Sequence, residues 1–315
     1  MTFENYEYVE ADSNIEDIKP SKPAFGYYGS KQRISKSIID LFPPHNAWVE
    51  VFCGSAAITL AKKPAQIEVI NDLDSNIINI FKQLRTNHKK LIDAIRLTPY
   101  SREEFINAKI IDTSDSDLER ARKFIIICMM TVNATTGGQF CGFSFSNSYS
   151  RNGKEARVNR WNNLTERIEN VVNRIRNVRV EHLDARKIIK MFSDRPATLM
   201  YLDPPYFVKR SHDYPVDEKE ASFHKELLEL CCKSKSMIII SHYENRLYRK
   251  ILNRKSGWRS KTFEAVTTNT SGKDFHRKEI VWMNEAFVNA KASNNVPIRL
   301  SKKEKMNRKV NPPRK

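Results

Sequence analysis

Thr198-Leu199-Met200-Tyr201-Leu202-Asp203-Pro204-Pro205-Tyr206 decides how this chain is read. The first five residues form an apolar run of the kind that makes a buried strand, and a carboxylate, two prolines and an aromatic ring follow at its end. Each proline fixes its own φ and removes an N–H donor, which leaves its carbonyl pointing outward as an acceptor. Asp-Pro and Pro-Pro are also ordinary turn formers, so the weight of the tetrapeptide depends on its surroundings. Taken functionally, an acidic acceptor, a rigid carbonyl and a stacking ring suit a flat ring that bears an exocyclic NH2. That is the chemistry of methylating the amino group of a nucleic-acid base.

Working outward, six more short apolar runs read as strands: Trp48–Phe52, Ile67–Asn71, Val178–His182, Met237–Ser241, Lys261–Val266 and Glu279–Met283. Helix-like stretches such as Ser75–Leu84 and Phe223–Cys232 lie between most of them. Strands alternating with helices imply an α/β fold with a parallel sheet covered on both faces. Ligands in such sheets bind at the carboxyl ends of the strands. The alternation breaks once, where about a hundred residues separate the second strand from the third, too many for a loop in a compact sheet. This segment is helical at Asp117–Thr131, then polar and aromatic, and helical again from Leu164, so it reads as an inserted helical subdomain. Arg151, Lys154, Arg157, Arg160 and Trp161 lie there beside Phe140, Phe143, Phe145 and Tyr149. Basic residues interleaved with aromatics suit phosphates and bases.

The 315 residues carry a net charge of +17, which favours a polyanionic partner. The last 25 residues, Lys291 to Lys315, hold net +8 of it, and the body without them stays basic. The first residues are acidic (Glu4, Glu7, Glu10, Asp12, Glu16, Asp17), unlike a signal or transit peptide, and no apolar stretch approaches a membrane span. A cytoplasmic protein is expected. Cys53, Cys128, Cys141, Cys231 and Cys232 have neither zinc nor CxxC spacing and are expected as buried free thiols. The scattered histidines suggest no metal, and His242 is expected to be structural.

Several other strand ends carry polar chemistry. Phe52-Cys53-Gly54-Ser55-Ala56 follows the first strand, and its small residues would let a helix N-terminus approach a ligand. Asp72 and Asp74 follow the second; an acid here can take both ribose hydroxyls of a nucleoside, either of the two could do it while the other caps the next helix, and Asp72, nearer the strand end, is preferred. Asp184 follows the third and either accepts from an adenine amino group or caps the next helix. Phe25-Gly26-Tyr27-Tyr28-Gly29-Ser30-Lys31 sets rings, small residues and a lysine ahead of a helix, a segment able to close over a cofactor.

In this order of motifs the chain resembles the Dam-type, D12 class N6-adenine DNA methyltransferases. The aromatic-Gly-Lys segment (Tyr27 to Lys31) comes first, then Phe52 to Ala56, then Asp72 with Asn76-Ile77-Ile78-Asn79, then the long insert, Asp184, and Asp203 to Tyr206. Met237 to His242 and Arg277 to Asn284 match the next core strand and the closing strand, so the resemblance covers about Phe25 to Asn284. It implies a Rossmann-like S-adenosylmethionine-dependent methyltransferase sheet of about seven strands with an inserted helical target-recognition subdomain. It implies S-adenosylmethionine as cofactor, bound by Tyr27, Lys31, Phe52, Gly54, Asp72, Asp184 and Asp203, and double-stranded DNA as partner. Asp203, Pro204, Pro205 and Tyr206 would carry catalysis, with Tyr206 stacked on a flipped-out adenine and Asp203 and the Pro204 carbonyl accepting its amino hydrogens. The family's Phe-x-Gly-x-Gly ends here in Ala56, a methyl where the backbone is expected to lie close to the cofactor.

The expected division is an acidic segment over 1–20, a catalytic domain over 21–99 and 173–290, the target-recognition insert over 100–172, and a basic disordered tail over 291–315. Two alternatives stand beside adenine methylation: a methyltransferase of the same fold acting on cytosine N4 or RNA, and a catalytically silent DNA-binding regulator. A nicotinamide oxidoreductase lacks its GxGxxG. Restriction–modification, phage and solitary settings are all compatible with the sequence, as is any oligomeric state.

Overall fold

The short apolar runs fold as strands, and the stretches with apolar residues at helical spacing fold as helices. The computed structural model describes residues 7–9, 18–27, 29–110, 112–132, 142–147, 150–151, 153–207, 220–268 and 274–299. Tyr28, Phe140, Cys141, Tyr149, the acids Glu4, Glu10, Asp12, Glu16 and Asp17, and residues 300–315 lie outside them.

Strand β1 (Glu7–Val9) precedes a 3-10 turn at Lys31–Arg33 and helix α1 (Ser35–Ile39). Then come β2 (Ala47–Glu50), α2 (Ala57–Ala61), β3 (Ile67–Asn71) and α3 (Ser75–Thr86). The long interval holds α4 (His88–Arg96), α5 (Arg102–Ala108), α6 (Asp117–Met130), the two-residue strands β4 (Ser150–Arg151) and β5 (Lys154–Glu155), α7 (Ala156–Asn162) and α8 (Leu164–Arg174). The chain returns through β6 (Val178–Glu181), α9 (Ala185–Phe192), β7 (Thr198–Leu202), α10 (Ala221–Lys233), β8 (Met237–Tyr243) and α11 (Arg246–Ile251). It closes with β9 (Arg259–Thr268), β10 (Asp274–Met283), α12 (Glu285–Ser293) and β11 (Val296–Ile298).

Seven strands form one sheet in the order β6-β3-β2-β7-β8-β10-β9. The first five are parallel, whereas β10 runs antiparallel to both β8 and β9. The parallel sheet expected from the alternation thus spans five strands and ends in two that pair antiparallel. Only five residues separate β9 from β10, too few for a crossover, so the two pair as a hairpin. The chain winds outward from β2 through β3 to β6, and in the other direction from β7 to β8. The switch point between β2 and β7 is where an open α/β sheet leaves a crevice.

Alternate residues of the strands bury on opposite faces. Val49, Val69, Met200, Leu202, Ile238 and Ile240 pack on Ile188 and Ile189 of α9 and Leu227 and Leu228 of α10. Trp48, Leu199, Tyr201, Ile239 and Val281 face Ile38 of α1 and Phe287 and Ala290 of α12. Helices α3 to α8 share a third core built on Phe81, Ile95, Phe105, Phe124, Trp161 and Ile168. Trp161 fixes α7 there by donating its indole N–H to the Thr98 carbonyl at 2.9 Å.

Two boundaries differ from expectation. The stretch from Lys291 is ordered through Ser293 in α12 and again in β11, which pairs antiparallel with β1, Glu7 opposite Ile298 and Val9 opposite Val296. That pairing also draws part of the 1–20 segment into the fold. Among the cysteines, Cys53, Cys128 and Cys231 are buried, but Cys232 is exposed because it falls on the outer face of α10. Among the described residues no helix is long and apolar enough to cross a membrane. Among them no three or more His, Cys, Asp or Glu side chains are placed to hold a metal ion.

Candidate active site

A cleft opens at the carboxyl ends of β2, β3, β6 and β7, where open α/β sheets bind ligands. Of the expected residues, Tyr27, Lys31, Phe52, Gly54, Asp72, Asp184, Asp203 and Pro205 line it. Pro204 and Tyr206 do not.

The turn after β2 is shaped by two residues in the left-handed region, Gly54 (φ 47°) and Ala56 (φ 53°). A side chain at Gly54 would bring its Cβ to 2.8 Å from Cδ1 of Tyr27, so the missing side chain lets that ring close over the turn. The Ala56 methyl, expected to crowd the cofactor, is instead fully buried in the core shared with Ile77 and Ile80, and Ala56 does not line the cleft. Its strained φ is the consequence of Ala where Gly would adopt this conformation without cost.

The two acids after β3 divide their work between the strand-end turns and the helix that follows. Asp72 Oδ2 accepts the Gly54 N–H at 2.8 Å and Oδ1 accepts the Asp74 N–H at 3.0 Å, which clamps the two strand-end turns together. Burial raises its carboxyl to about 6, against these two hydrogen bonds. Asp74 caps α3 through Oδ1, which accepts the Asn76 N–H at 2.9 Å, while its buried Oδ2 has no partner. A buried carboxylate oxygen without a donor is costly, and Asp74 lines the cleft. Asp184 caps α9 by accepting the Arg186 N–H at 2.7 Å and pairs with the Arg186 guanidinium at 2.6 Å, which holds its carboxyl below the usual range.

Asp203 leaves β7 beside Lys31. The lysine Nζ lies 2.7 and 2.6 Å from the two carboxylate oxygens and 3.1 Å from the Gly29 carbonyl, with its side chain 8% exposed. Burial raises the Asp203 carboxyl; Lys31 pulls it down and the charge of Glu279 pushes it up again, to about 6. Tyr206 is buried. Its hydroxyl donates to Glu279, its ring packs 4.7 Å from His242 and 4.3 Å from Tyr243, and Lys31 Nζ sits 4.8 Å from its centroid. His242 holds the chain beyond the tetrapeptide: Nδ1 lies 2.7 Å from the Tyr243 carbonyl and Nε2 accepts the Phe207 N–H at 2.9 Å. Asn245 Nδ2 donates to the Phe207 carbonyl at 2.9 Å.

Two residues at this site escape a sequence reading. Glu50, the last residue of β2, is buried in the cleft wall and accepts from both the backbone N–H and the hydroxyl of Thr59. Burial raises its carboxyl to about 7 in spite of those bonds. Glu279 lies in β10 and reaches Tyr206 across the sheet. A charged residue inside each apolar run was the available signal.

The cleft is thus walled by five carboxyl side chains, Glu50, Asp72, Asp74, Asp184 and Asp203. Lys31 is the one Lys or Arg lining it among the described residues. This arrangement suits a ligand with hydrogen-bond donors and positive charge.

A family model described as D12 class N6 adenine-specific DNA methyltransferase matches residues 27–268. The chain is also similar to the type II methyltransferase M1.LlaDCHI of Lactococcus lactis subsp. cremoris. The two are 25% identical over 193 residues, 59% of this chain and 66% of that protein. Among solved structures, a precorrin-6y C5,15-methyltransferase from Geobacter metallireducens GS-15 aligns over 84% of this chain and 98% of its own, with 9% identity and a TM-score of 0.36. A SAM-dependent methyltransferase from Agrobacterium tumefaciens aligns over 81% of this chain and 60% of its own, with 8% identity and a TM-score of 0.32.

Proposed function

Because the chain belongs to the D12 class N6 adenine-specific DNA methyltransferases, we propose that it moves a methyl group from S-adenosylmethionine to N6 of an adenine flipped out of double-stranded DNA. The observation that carries the proposal is the position of Asp203, whose carboxylate ends the central strand β7 and lines the same cleft as the acids after β3.

The side chains suit the cofactor. Its ribose hydroxyls are donors, and Asp74 Oδ2 is a buried acceptor without a partner. Its ammonium and sulfonium are cationic, and the cleft wall is rich in carboxyl groups. We assign Asp74 to a ribose hydroxyl, with Asp72 shaping the site as a clamp and Tyr27, Phe52, Gly54 and Asp184 forming the remaining wall. When bound, S-adenosylmethionine supplies an electrophilic methyl.

The protein's contribution is orientation. Asp203 and the Pro204 carbonyl accept the two amino hydrogens of the extruded base, which draws the nitrogen lone pair out of conjugation and directs it toward the cofactor. Tyr206 offers a ring for stacking on the extruded base. The segment 100–172 is the part we assign to target recognition. There Phe145 is exposed, with Arg102 5.4 Å from its ring centroid, an arrangement suited to bases and phosphates.

The test incubates the protein with unmethylated DNA and S-adenosylmethionine, digests the DNA and identifies the nucleosides by mass, with Asp203→Ala as control. N6-methyladenine from the wild type alone supports the proposal. N4-methylcytosine, or no product on DNA of varied sequence, overturns it.

A further inference from the structure

We propose that Glu279 is a positioning residue for methyl transfer: it is the second anion onto which Lys31 moves when Asp203 takes up the amino group of the base, and it holds the Tyr206 ring meanwhile. The proposal rests on the adenine-methylating function above.

In the structure both Asp203 oxygens are engaged by Lys31, at 2.7 and 2.6 Å. The ammonium occupies one lone pair of each oxygen and competes for the rest, so a shift of the lysine toward a second anion frees the carboxylate to face the amino group of the base. A buried cation cannot leave its anion for an apolar wall without a large desolvation cost. Glu279 removes that obstacle. Its side chain is 5% exposed, and Oε1 lies 3.8 Å from Lys31 Nζ. A shift of about 1 Å brings Nζ into charge-assisted hydrogen-bond range. The shift keeps the ammonium near the Tyr206 ring, whose centroid is 4.8 Å away.

The same carboxylate accepts the Tyr206 hydroxyl. That bond fixes rotation of the ring, which His242 and Tyr243 support from β8. Glu279 stands on β10, outside the tetrapeptide, and is absent from the residues lining the cleft. It therefore acts through Lys31 and Tyr206 and not by touching the reacting atoms. The titratable groups around Asp203 are Lys31 from the 3-10 turn, Glu279 from β10, Tyr206 beyond β7, Tyr201 within β7, Glu50 from β2 and Tyr248 from α11.

Glu279→Gln tests this. The amide oxygen still accepts the Tyr206 hydroxyl, but the anion is gone. The expected result is a kcat lower by about ten- to a hundredfold, with the Kd for S-adenosylmethionine and the melting temperature close to wild type. The acid limb of kcat should move to lower pH, because Asp203 loses a neighbouring negative charge that raises its pKa. In a Lys31→Met background the same substitution should have little further effect, since the lysine it serves is missing.

The proposal is overturned if Glu279→Gln keeps wild-type kcat. It is also overturned if kcat falls only together with stability and cofactor binding while the acid limb stays in place, which is the mark of a purely structural residue. Failure of the wild type to make N6-methyladenine would overturn the functional reading first, and this proposal with it.

Discussion

Gly54 and Ala56 stand two positions apart in the same backbone region, yet their side-chain requirements differ. At Ala56 a methyl fits the core. At Gly54 a methyl meets Tyr27 Cδ1 at 2.8 Å, in addition to a left-handed φ, which costs about 1–2 kcal/mol for an L side chain. Gly54→Ala is therefore expected to push Tyr27 off the turn and weaken S-adenosylmethionine binding about tenfold or more, since 1.4 kcal/mol is a factor of ten. Calorimetric titration checks this, and an unchanged Kd would remove Tyr27 and Gly54 from the cofactor site. Glu50 gives a pH signature. Its folded-state pKa of about 7 lies above the ordinary value of 4.5. Its stabilising contribution is thus complete below pH 4.5 and is lost as pH rises through about 7. At 1.36 kcal/mol per unit the loss is about 3 kcal/mol. Glu50→Gln should flatten that part of the stability curve, as measured by denaturant melts at pH 5 and pH 8.

Among the elements, α8 is joined to the sheet by a buried ion cluster. Arg174, 1% exposed, donates to both oxygens of Glu68 at 2.6 and 3.0 Å and to the Thr59 carbonyl at 2.6 Å, and Lys62 Nζ bonds Glu68 at 2.7 Å. Burial alone would raise the Glu68 carboxyl, but Arg174 and Lys62 hold it below its usual range. Arg174→Ala leaves Glu68 with only Lys62 and the Ala65 N–H and should cost about 3 kcal/mol, the lower end for a broken buried pair; chemical denaturation measures it. Strands were the most legible elements, because runs such as Ile238-Ile239-Ile240 admit little else. The tetrapeptide's place at a strand end was legible for the same reason. What stayed hidden depends on distant partners. The β1–β11 pairing joins residues nearly the whole chain apart. The reversal of β10 leaves no mark in hydrophobic pattern. Asp72 stood nearer the strand end than Asp74, yet only the hydrogen bonds from Gly54 and Asp74 itself reveal which carboxylate keeps a free oxygen. Glu279 meets Tyr206 across 73 residues of sequence.

Across the whole molecule, a net charge of +17 predicts that DNA affinity depends steeply on salt. Contacts to about six phosphates would lower it roughly a thousandfold between 50 and 200 mM salt, and binding titrations over that range give the slope. A flat dependence would argue against a phosphate-tracking surface. This positive body encloses a cleft walled by five carboxyl groups, and the opposition works as a charge filter. The exterior is expected to draw the sugar–phosphate chain close, and a cleft with more carboxyl groups than cations to disfavour a phosphate that follows the base inside. Free adenosine is therefore expected to compete for the cleft better than adenine mononucleotides, identical in the ring but carrying phosphate, and competition binding with the two measures it.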